Sequence, residues 1–191
     1  MNDDARALWD DEARTFDEAA DHGLRDPAVR AAWRELMLEL LPPPSARVAD
    51  LGCGTGTLSQ LLTDKGYDVT GVDFSPEMIR RARAKAPTIT FVEADASEPP
   101  LDRASYDVVL SRHVLWAMPD IPAALRRWAE LLTPGGRLVL IEGSWSTGVG
   151  LTGAETLAHV RSLGRSATLR PLADPRYWGG ETNDERYAVI S

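Results

Sequence analysis

Three aspartates in this sequence each come near the end of a short apolar run or directly after it. They are Asp50, Asp73 and Asp95, and successive members are about 22 residues apart. Such runs are typical of buried parallel strands, whose carboxyl ends meet at one edge of a sheet and bind ligands there. If the strand order is 3-2-1-4, the three carboxylates span about 10 Å, because neighbouring strands are about 4.8 Å apart. That span suits an extended nucleoside with an amino-acid tail.

A glycine-rich turn follows the first of these runs. The segment VADLGCGTG at 48–56 predicts a strand, a turn and the start of a helix. Its glycines let a ligand touch the backbone, and the free N–H groups of the helix suit a carboxylate or a phosphate. The dinucleotide fingerprint needs a glycine where this chain has Thr57. Asp50 would attract a ligand ammonium group and oppose a pyrophosphate, so the turn disfavours a nicotinamide cofactor.

The length of the chain and its 43% of hydrophobic residues predict a single domain, 1–191. The elements that position these residues all belong to it. Three consecutive prolines divide an N-terminal helical extension, 1–44, from a cofactor-binding core, 45–143. A C-terminal part on the substrate side, 144–191, follows. In the extension we expect a polar helix over 3–20 and an amphipathic helix that begins at Asp26-Pro27.

Strands and helices alternate after the prolines, which predicts a parallel sheet with helices on both faces. The expected strands cover 47–51, 68–72, 89–92, 106–110, 137–141, 167–170 and 186–190. The expected helices cover 57–65, 76–85 and 121–132, and one more ends at Leu163 after a loop over 143–153.

Composition argues against several classes of partner. A net charge of -8 repels nucleic-acid backbones and anionic lipid surfaces, and no apolar stretch is long enough to span a membrane. We therefore expect neither a nucleic-acid nor a membrane partner. The single cysteine cannot form an internal disulfide, which favours the cytoplasm. His22, His113 and His159 are isolated in sequence, so no metal site is predicted.

Four motifs in order resemble those of the class I S-adenosylmethionine-dependent methyltransferases. They are VADLGCGTG at 48–56, VTGVDFSPEMI at 69–79, EADA at 93–96 and LLTPGGRLVLIE at 131–142. The resemblance implies an α/β fold with a doubly wound, Rossmann-like sheet of seven strands in the order 3-2-1-4-5-7-6, with strand 7 antiparallel. It also implies S-adenosylmethionine as cofactor and S-adenosylhomocysteine as product. Because no capping domain follows the last strand, we expect the N-terminal helices and the loops to enclose the acceptor.

The resemblance also implies roles for individual residues. The first two glycines of the turn approach the methionine portion, and Asp73 holds both ribose hydroxyls. Phe74 and Met78 flank the adenine, and Asp95 with Ala96 reads its edge. The residues expected at the cofactor are Asp50, Gly52, Cys53, Gly54, Gly56, Asp73, Phe74, Met78, Asp95, Ala96 and Arg112.

Aromatic side chains supply the expected acceptor side. Three tryptophans follow strands 4, 5 and 6 at the ligand edge, where a pocket wall and ordinary packing are equally good interpretations. Two more aromatic residues lie in the extension, and we interpret the extension as a lid. A histidine near them fits either a turn or a part of that lid. The candidate substrate residues are Trp9, Phe16, His22, Trp116, Trp145 and Trp178.

His113 follows strand 4, so the expected order places it near the reacting methyl group. It is the candidate catalytic residue, either as a general base or as a group that orients the acceptor. Cys53 fits a small buried side chain better than a nucleophile. The sequence thus predicts methyl transfer to an oxygen or nitrogen of a small-molecule acceptor. Two alternatives stay open, a non-catalytic module that binds S-adenosylmethionine and a nicotinamide-dependent oxidoreductase. The oligomeric state is not predicted.

Overall fold

The computed structural model describes residues 3–191, which form a seven-stranded sheet with helices on both faces. The strands are β1 (Arg47–Leu51), β2 (Asp68–Asp73), β3 (Thr90–Glu93), β4 (Tyr106–Arg112), β5 (Leu132–Ser144), β6 (Thr168–Pro171) and β7 (Glu185–Ile190). The helices are α1 (Asp3–Glu12), α2 (Ala20–Gly23), α3 (Pro27–Leu40), α4 (Thr57–Thr63), α5 (Pro76–Lys85), α6 (Ile121–Glu130) and α7 (Gly153–Ser162). Short 3₁₀ turns lie at Phe16–Glu18, Leu115–Ala117 and Pro175–Tyr177.

The strand order is β3-β2-β1-β4-β5-β7-β6, so the expected order is confirmed. The strands from β1 to β5 pair in parallel, and β7 pairs antiparallel with both β5 and β6. Because β7 runs the opposite way, its first residues lie at the edge where the parallel strands end. Arg186 accordingly stands opposite Gly143, near the end of β5.

Apolar stripes fix the helices on the two faces of the sheet. On one face α3 and α4 bury Trp33, Leu36 and Leu62, each fully inaccessible to solvent. On the other face α6 and α7 bury Trp128 and Val160. Burial of one such side chain stabilises the fold by about 1.5–3 kcal/mol, so these contacts hold both layers firmly against the sheet.

Local hydrogen bonds define where several helices begin. Asp26 accepts a hydrogen bond from the N–H of Ala28 at 2.7 Å, with proline at the first helical position. Ser75 caps α5 through the N–H of Met78 at 3.1 Å. Each cap satisfies an N–H group that the helix itself leaves without a partner. Within residues 3–191, no helix has both the length and the apolar character that a membrane crossing requires.

Several of the expected boundaries are wrong. The polar helix over 3–20 is broken: α1 ends at Glu12, and a 3₁₀ turn and the short α2 follow. The break lets Phe16 and Asp17 contact the glycine turn, and such tertiary contacts outweigh a weak helical preference. The strand expected at 137–141 extends from Leu132 to Ser144, because it pairs along that length with β4 and β7. The loop expected from residue 143 therefore starts later, and α6 ends at Glu130.

Candidate functional site

The glycine turn after β1 is held against β2 by hydrogen bonds from its backbone N–H groups. The N–H of Gly52 donates to the carbonyl of Val72 at 2.8 Å, and the N–H of Gly54 donates to Oδ2 of Asp73 at 2.9 Å. Gly52 has a φ of +74°, and a Cβ there would lie 2.2 Å from a methyl group of Val114. Only glycine fits this position, so the turn presents bare backbone to its surroundings.

Asp73 ends β2 with its carboxyl group almost fully buried. Besides the bond from Gly54, its Oδ1 accepts a hydrogen bond from the N–H of Ser75 at 2.9 Å. Burial raises the pKa of this carboxyl above its usual value, although the hydrogen bonds from Ser75 and Gly54 oppose the rise. A carboxylate has about four lone-pair sites, so Asp73 keeps acceptor capacity for two hydroxyl groups.

A cavity of about 430 Å³ lies along this edge of the sheet. Its size falls within the range of about 300–1,000 Å³ that is typical of small-molecule sites. On the side of β1 and β2, the lining residues are Gly52, Cys53, Gly54, Asp73, Phe74, Met78 and Ala96. On the side of β4, β5 and β7, they include Arg112, His113, Val114, Trp116, Trp145 and Arg186. The extension adds Trp9, Phe16, Asp21 and His22.

Three of the residues expected at the cofactor are not among those that line this cavity. Asp50 is 2% exposed and accepts a hydrogen bond from Oγ of Ser59 at 2.5 Å. Burial raises the pKa of Asp50 to about 6. Gly56 begins α4, and Asp95 accepts a hydrogen bond from the N–H of Ser97 at 2.8 Å. The neighbour of Gly54 in the turn, Cys53, does line the cavity, and burial raises the pKa of its thiol.

His113 follows β4 in a left-handed backbone conformation, with a φ of 60°. Its N–H donates to the carbonyl of Ile141 at 2.8 Å, and its Nε2 lies 3.4 Å from Nη1 of Arg186. Burial lowers the pKa of the imidazole well below its usual value, and the guanidinium groups of Arg112 and Arg186 lower it further. The ring is therefore neutral near pH 7, and its low pKa makes it a weak base.

The aromatic residues expected on the acceptor side gather around His113. The rings of Phe16 and His22 are stacked with centroids 4.3 Å apart, and Trp145 meets His113 edge-on at 5.2 Å. Trp178 is not among the lining residues, but its ring stacks on that of His113 at 6.0 Å. The structure thus places five of the six candidate substrate residues on the cavity wall, namely Trp9, Phe16, His22, Trp116 and Trp145.

The extension is joined to the glycine turn and to α5 by partly buried polar contacts. Asp17 accepts a hydrogen bond from Oγ1 of Thr55 at 2.5 Å and pairs with Nζ of Lys85 at 2.7 Å. Burial raises the pKa of Asp17, but the hydrogen bonds from Lys85 and Thr55 prevail and lower it overall. In α1, Asp10 accepts a hydrogen bond from Oγ of Ser75 at 2.5 Å. These contacts keep Trp9 and Phe16 over the cavity.

A further contact joins the extension to the end of β4. Arg112 donates through Nη1 to the backbone carbonyl of Asp21, and its guanidinium carbon lies 5.0 Å from the ring centroid of Trp33. Arg112 therefore connects the cavity wall with both α2 and α3.

Glu142 and Arg186 belong to the site although the sequence analysis missed both. Glu142 is fully buried on β5, and its Oε1 accepts hydrogen bonds from the N–H groups of Val114 and Leu115 at 3.0 and 2.8 Å. Burial raises the pKa of Glu142 to about 8. It fixes the turn that carries His113. The sequence signal for Glu142 is a single acidic residue at the end of an apolar run.

Asp21, His22 and His113 are distant in sequence but bring their possible metal-ligand atoms within 4.8 Å of one another. Arg112 and Arg186 face the same space. Burial lowers the pKa of both histidines, and these two guanidinium groups lower it further. The same positive charges oppose a divalent cation at this cluster.

Comparisons with known proteins match this architecture. A family model described as "Methyltransferase domain" matches residues 49–140. A demethylmenaquinone methyltransferase of Beutenbergia cavernae is 32% identical over 89% of this chain and 72% of that protein. An uncharacterized methyltransferase of Mycobacterium tuberculosis is 42% identical over 65% of this chain and 48% of that protein. This chain thus spans only about half the length of the mycobacterial relative.

One solved structure extends the likeness to nearly the whole fold. It is the complex between a methyltransferase activator and a methyltransferase of Haloferax volcanii, with a TM-score of 0.73 and 23% identity. The match covers 95% of this chain and 96% of the other. At this identity the likeness concerns the fold alone.

Proposed function

Because this chain belongs to the class I S-adenosylmethionine-dependent methyltransferases, we propose that it transfers a methyl group from that cofactor to a small-molecule acceptor. The methylated atom in this proposal is an oxygen or a nitrogen. One observation carries the proposal: the same cavity is lined by the glycine turn and Asp73 and by the aromatic residues around His113. Cofactor and acceptor would therefore meet in one cavity.

The residues on the side of β1 and β2 fit the cofactor. Gly52 and Gly54 offer backbone without side chains, which suits the methionine portion. Asp73 has lone pairs left for the two ribose hydroxyls. Phe74 and Met78 provide apolar surface for the adenine ring. When bound, S-adenosylmethionine supplies an electrophilic methyl group on its sulfonium.

Positioning supplies most of the acceleration in this proposal. Transfer of a methyl group needs an in-line approach of the acceptor, and fixed orientation of two reactants is worth about 7–11 kcal/mol of the barrier. His113 fits the orienting role better than that of a base, because burial and the guanidinium groups of Arg112 and Arg186 lower the pKa of its ring and its Nε2 lies beside Arg186. Trp116 and Trp145 form walls that exclude water from the reacting atoms.

Binding of the cofactor is the first test. We expect S-adenosylmethionine to bind with micromolar affinity, about -8 kcal/mol, in titration calorimetry. Asp73→Ala should weaken binding by about 1–3 kcal/mol, because charge-assisted hydrogen bonds are lost. Asp68→Ala is the matched control, since Asp68 is exposed at the other end of β2. A folded wild type that does not bind, or an Asp73→Ala variant that binds like wild type, would contradict the proposal.

Turnover is the second test, measured as release of S-adenosylhomocysteine with a panel of phenols, amines, carboxylic acids and demethylmenaquinone. The last compound is included because the Beutenbergia cavernae relative is named for it. Methylation of a phenol, an amine or a carboxylic acid identifies the acceptor atom, whereas methylation of demethylmenaquinone, which takes the methyl group on a ring carbon, would contradict transfer to oxygen or nitrogen. Tight cofactor binding without turnover on any of them would favour the non-catalytic binding module, and binding of a nicotinamide nucleotide in its place would favour an oxidoreductase.

A further inference from the structure

Arg186 is the second residue of β7, and the direction of that strand brings it to the ligand edge of the sheet. Its guanidinium carbon lies 5.1 Å from the ring centroid of Trp145 and 4.9 Å from that of Trp178. The side chain is 12% exposed and lines the cavity. Two tryptophans therefore hold a nearly buried positive charge in a fixed orientation.

The hydrogen-bond donors of Arg186 are only partly used. Nη2 donates to Oδ2 of Asp184 at 2.9 Å, and Nη1 lies 3.4 Å from Nε2 of His113. Nε is buried and has no hydrogen-bond partner among residues 3–191. Asp184 also accepts a hydrogen bond from the N–H of Ser146 at 2.8 Å, so its charge is shared. Nε is out of reach of a ligand, but the guanidinium has five N–H donors, and the contacts with Asp184 and His113 leave donors of Nη1 and Nη2 free to bind an anion in the cavity.

The surroundings of Arg186 favour an anion that is also planar. Arg112 adds a second positive charge. Burial is the main cause of the lowered pKa of the His113 ring, and both guanidinium groups lower that pKa further. Trp116 and Trp145 stand on the same side, with ring centroids 6.0 Å apart. The two rings meet at an angle of 65° and form an apolar corner beside the cation, so a conjugated ring that carries a carboxylate can lie against the face of one and the edge of the other.

We propose, on the basis of the methyl transfer proposed above, that the acceptor is a planar carboxylate. Arg186 binds its carboxylate group through the planar fork of its N–H donors, and its ring lies against Trp116 and Trp145. The cluster of Asp21, His22 and His113 then faces the acceptor, and the nearby guanidinium groups of Arg112 and Arg186 disfavour a metal ion there.

Benzoate and its uncharged analogue benzamide are the probes, titrated into the protein saturated with S-adenosylhomocysteine. We expect the wild type to bind benzoate at least about tenfold more tightly than benzamide, since only benzoate pairs with Arg186. Arg186→Gln should weaken benzoate at least about tenfold and leave the affinity for S-adenosylhomocysteine within about twofold. Arg176→Gln is the matched control, because Arg176 is half exposed on the surface and pairs with Asp174.

The possible results distinguish a failure of the planar carboxylate from a failure of the proposed methyl transfer. Equal affinities of benzoate and benzamide for the wild type, or unchanged benzoate binding by Arg186→Gln, would overturn the planar carboxylate while cofactor binding stands. The comparison within the wild type decides even where Arg186→Gln does not fold. A wild type that fails to bind S-adenosylhomocysteine would overturn the methyl transfer first, and this inference with it. Binding of Zn²⁺ that displaces benzoate and is lost in His22→Ala would overturn it by showing a metal site.

Discussion

Replacement of Glu142 by glutamine should change how the stability of this protein depends on pH. Glu142 is fully buried on β5, and its Oε2 has no hydrogen-bond partner among residues 3–191. Burial raises the pKa of its carboxyl to about 8, although the N–H groups of Val114 and Leu115 oppose the rise. The carbonyl of a glutamine can accept both of those hydrogen bonds without a charge.

The sign follows from the protonation of the folded and unfolded chains. Below the ordinary pKa of 4.5 the carboxyl group is neutral in both. As the pH rises the unfolded chain ionises first, while the folded chain keeps its proton until about pH 8. Stability from this group is therefore fully present at low pH and is lost as the pH rises through that range. A difference of about 3.5 pKa units corresponds to about 5 kcal/mol at about pH 9 and about 3 kcal/mol at about pH 7.

Urea unfolding followed by circular dichroism at about pH 5, 7 and 9 measures the effect. We expect Glu142→Gln to differ from the wild type by under about 1 kcal/mol at pH 5 and to gain several kcal/mol relative to it at pH 9. Glu39→Gln is the matched control, since Glu39 is exposed on α3 and pairs with Arg170 at 2.7 Å. Parallel pH profiles for wild type and Glu142→Gln would refute the reasoning, because Glu142 would then ionise in the folded protein without cost.

Two further substitutions test the acceptor side and the extension. We expect His113→Gln to raise KM for the acceptor and to lower kcat by less than about tenfold, whereas a loss of about 10² or more in kcat alone would identify a general base. Lys85→Met leaves the carboxylate of Asp17 without its ion pair, so amides in residues 3–24 should exchange hydrogen faster than in wild type. Lys65→Met, at an exposed position, is its control, and equal exchange in the two variants would mean that the ion pair does not hold the extension.

The sheet could be predicted from the sequence because its signals are local. Each buried parallel strand reads as a short apolar run, and the strand order came with the resemblance. The glycine turn at 52–54 and Asp73 could be predicted for the same reason. Their hydrogen bonds lie within one strand-turn-helix unit and the neighbouring strand β2. Tertiary packing does little to override the local structure of such a unit. The glycine turn and Asp73 both line the cavity, as expected.

The extension and the far side of the cavity could not be derived in the same way. The break after Glu12 depends on Asp17, whose partners Thr55 and Lys85 are far away in sequence. A weakly amphipathic polar segment carries no local signal for such contacts. Arg186 was within reach of the sequence, because an antiparallel last strand must begin at the ligand edge, but its position between two tryptophans depends on side-chain packing.

This difference has a consequence for how the protein selects an acceptor. The cofactor side rests on hydrogen bonds from the N–H groups of Gly52 and Gly54 to the carbonyl of Val72 and the carboxylate of Asp73 in β2. On the acceptor side, side chains from α2, the end of β4, the end of β5 and the start of β7 meet across the cavity. Those segments touch one another through the side chains of His113, Trp145 and Arg186, which make no hydrogen bond to the glycine turn. Substitution of these three residues should therefore change which acceptor binds without changing the affinity for the cofactor. We therefore expect acceptor specificity to be separable from cofactor binding, and we expect substitutions around Arg186 to change it first.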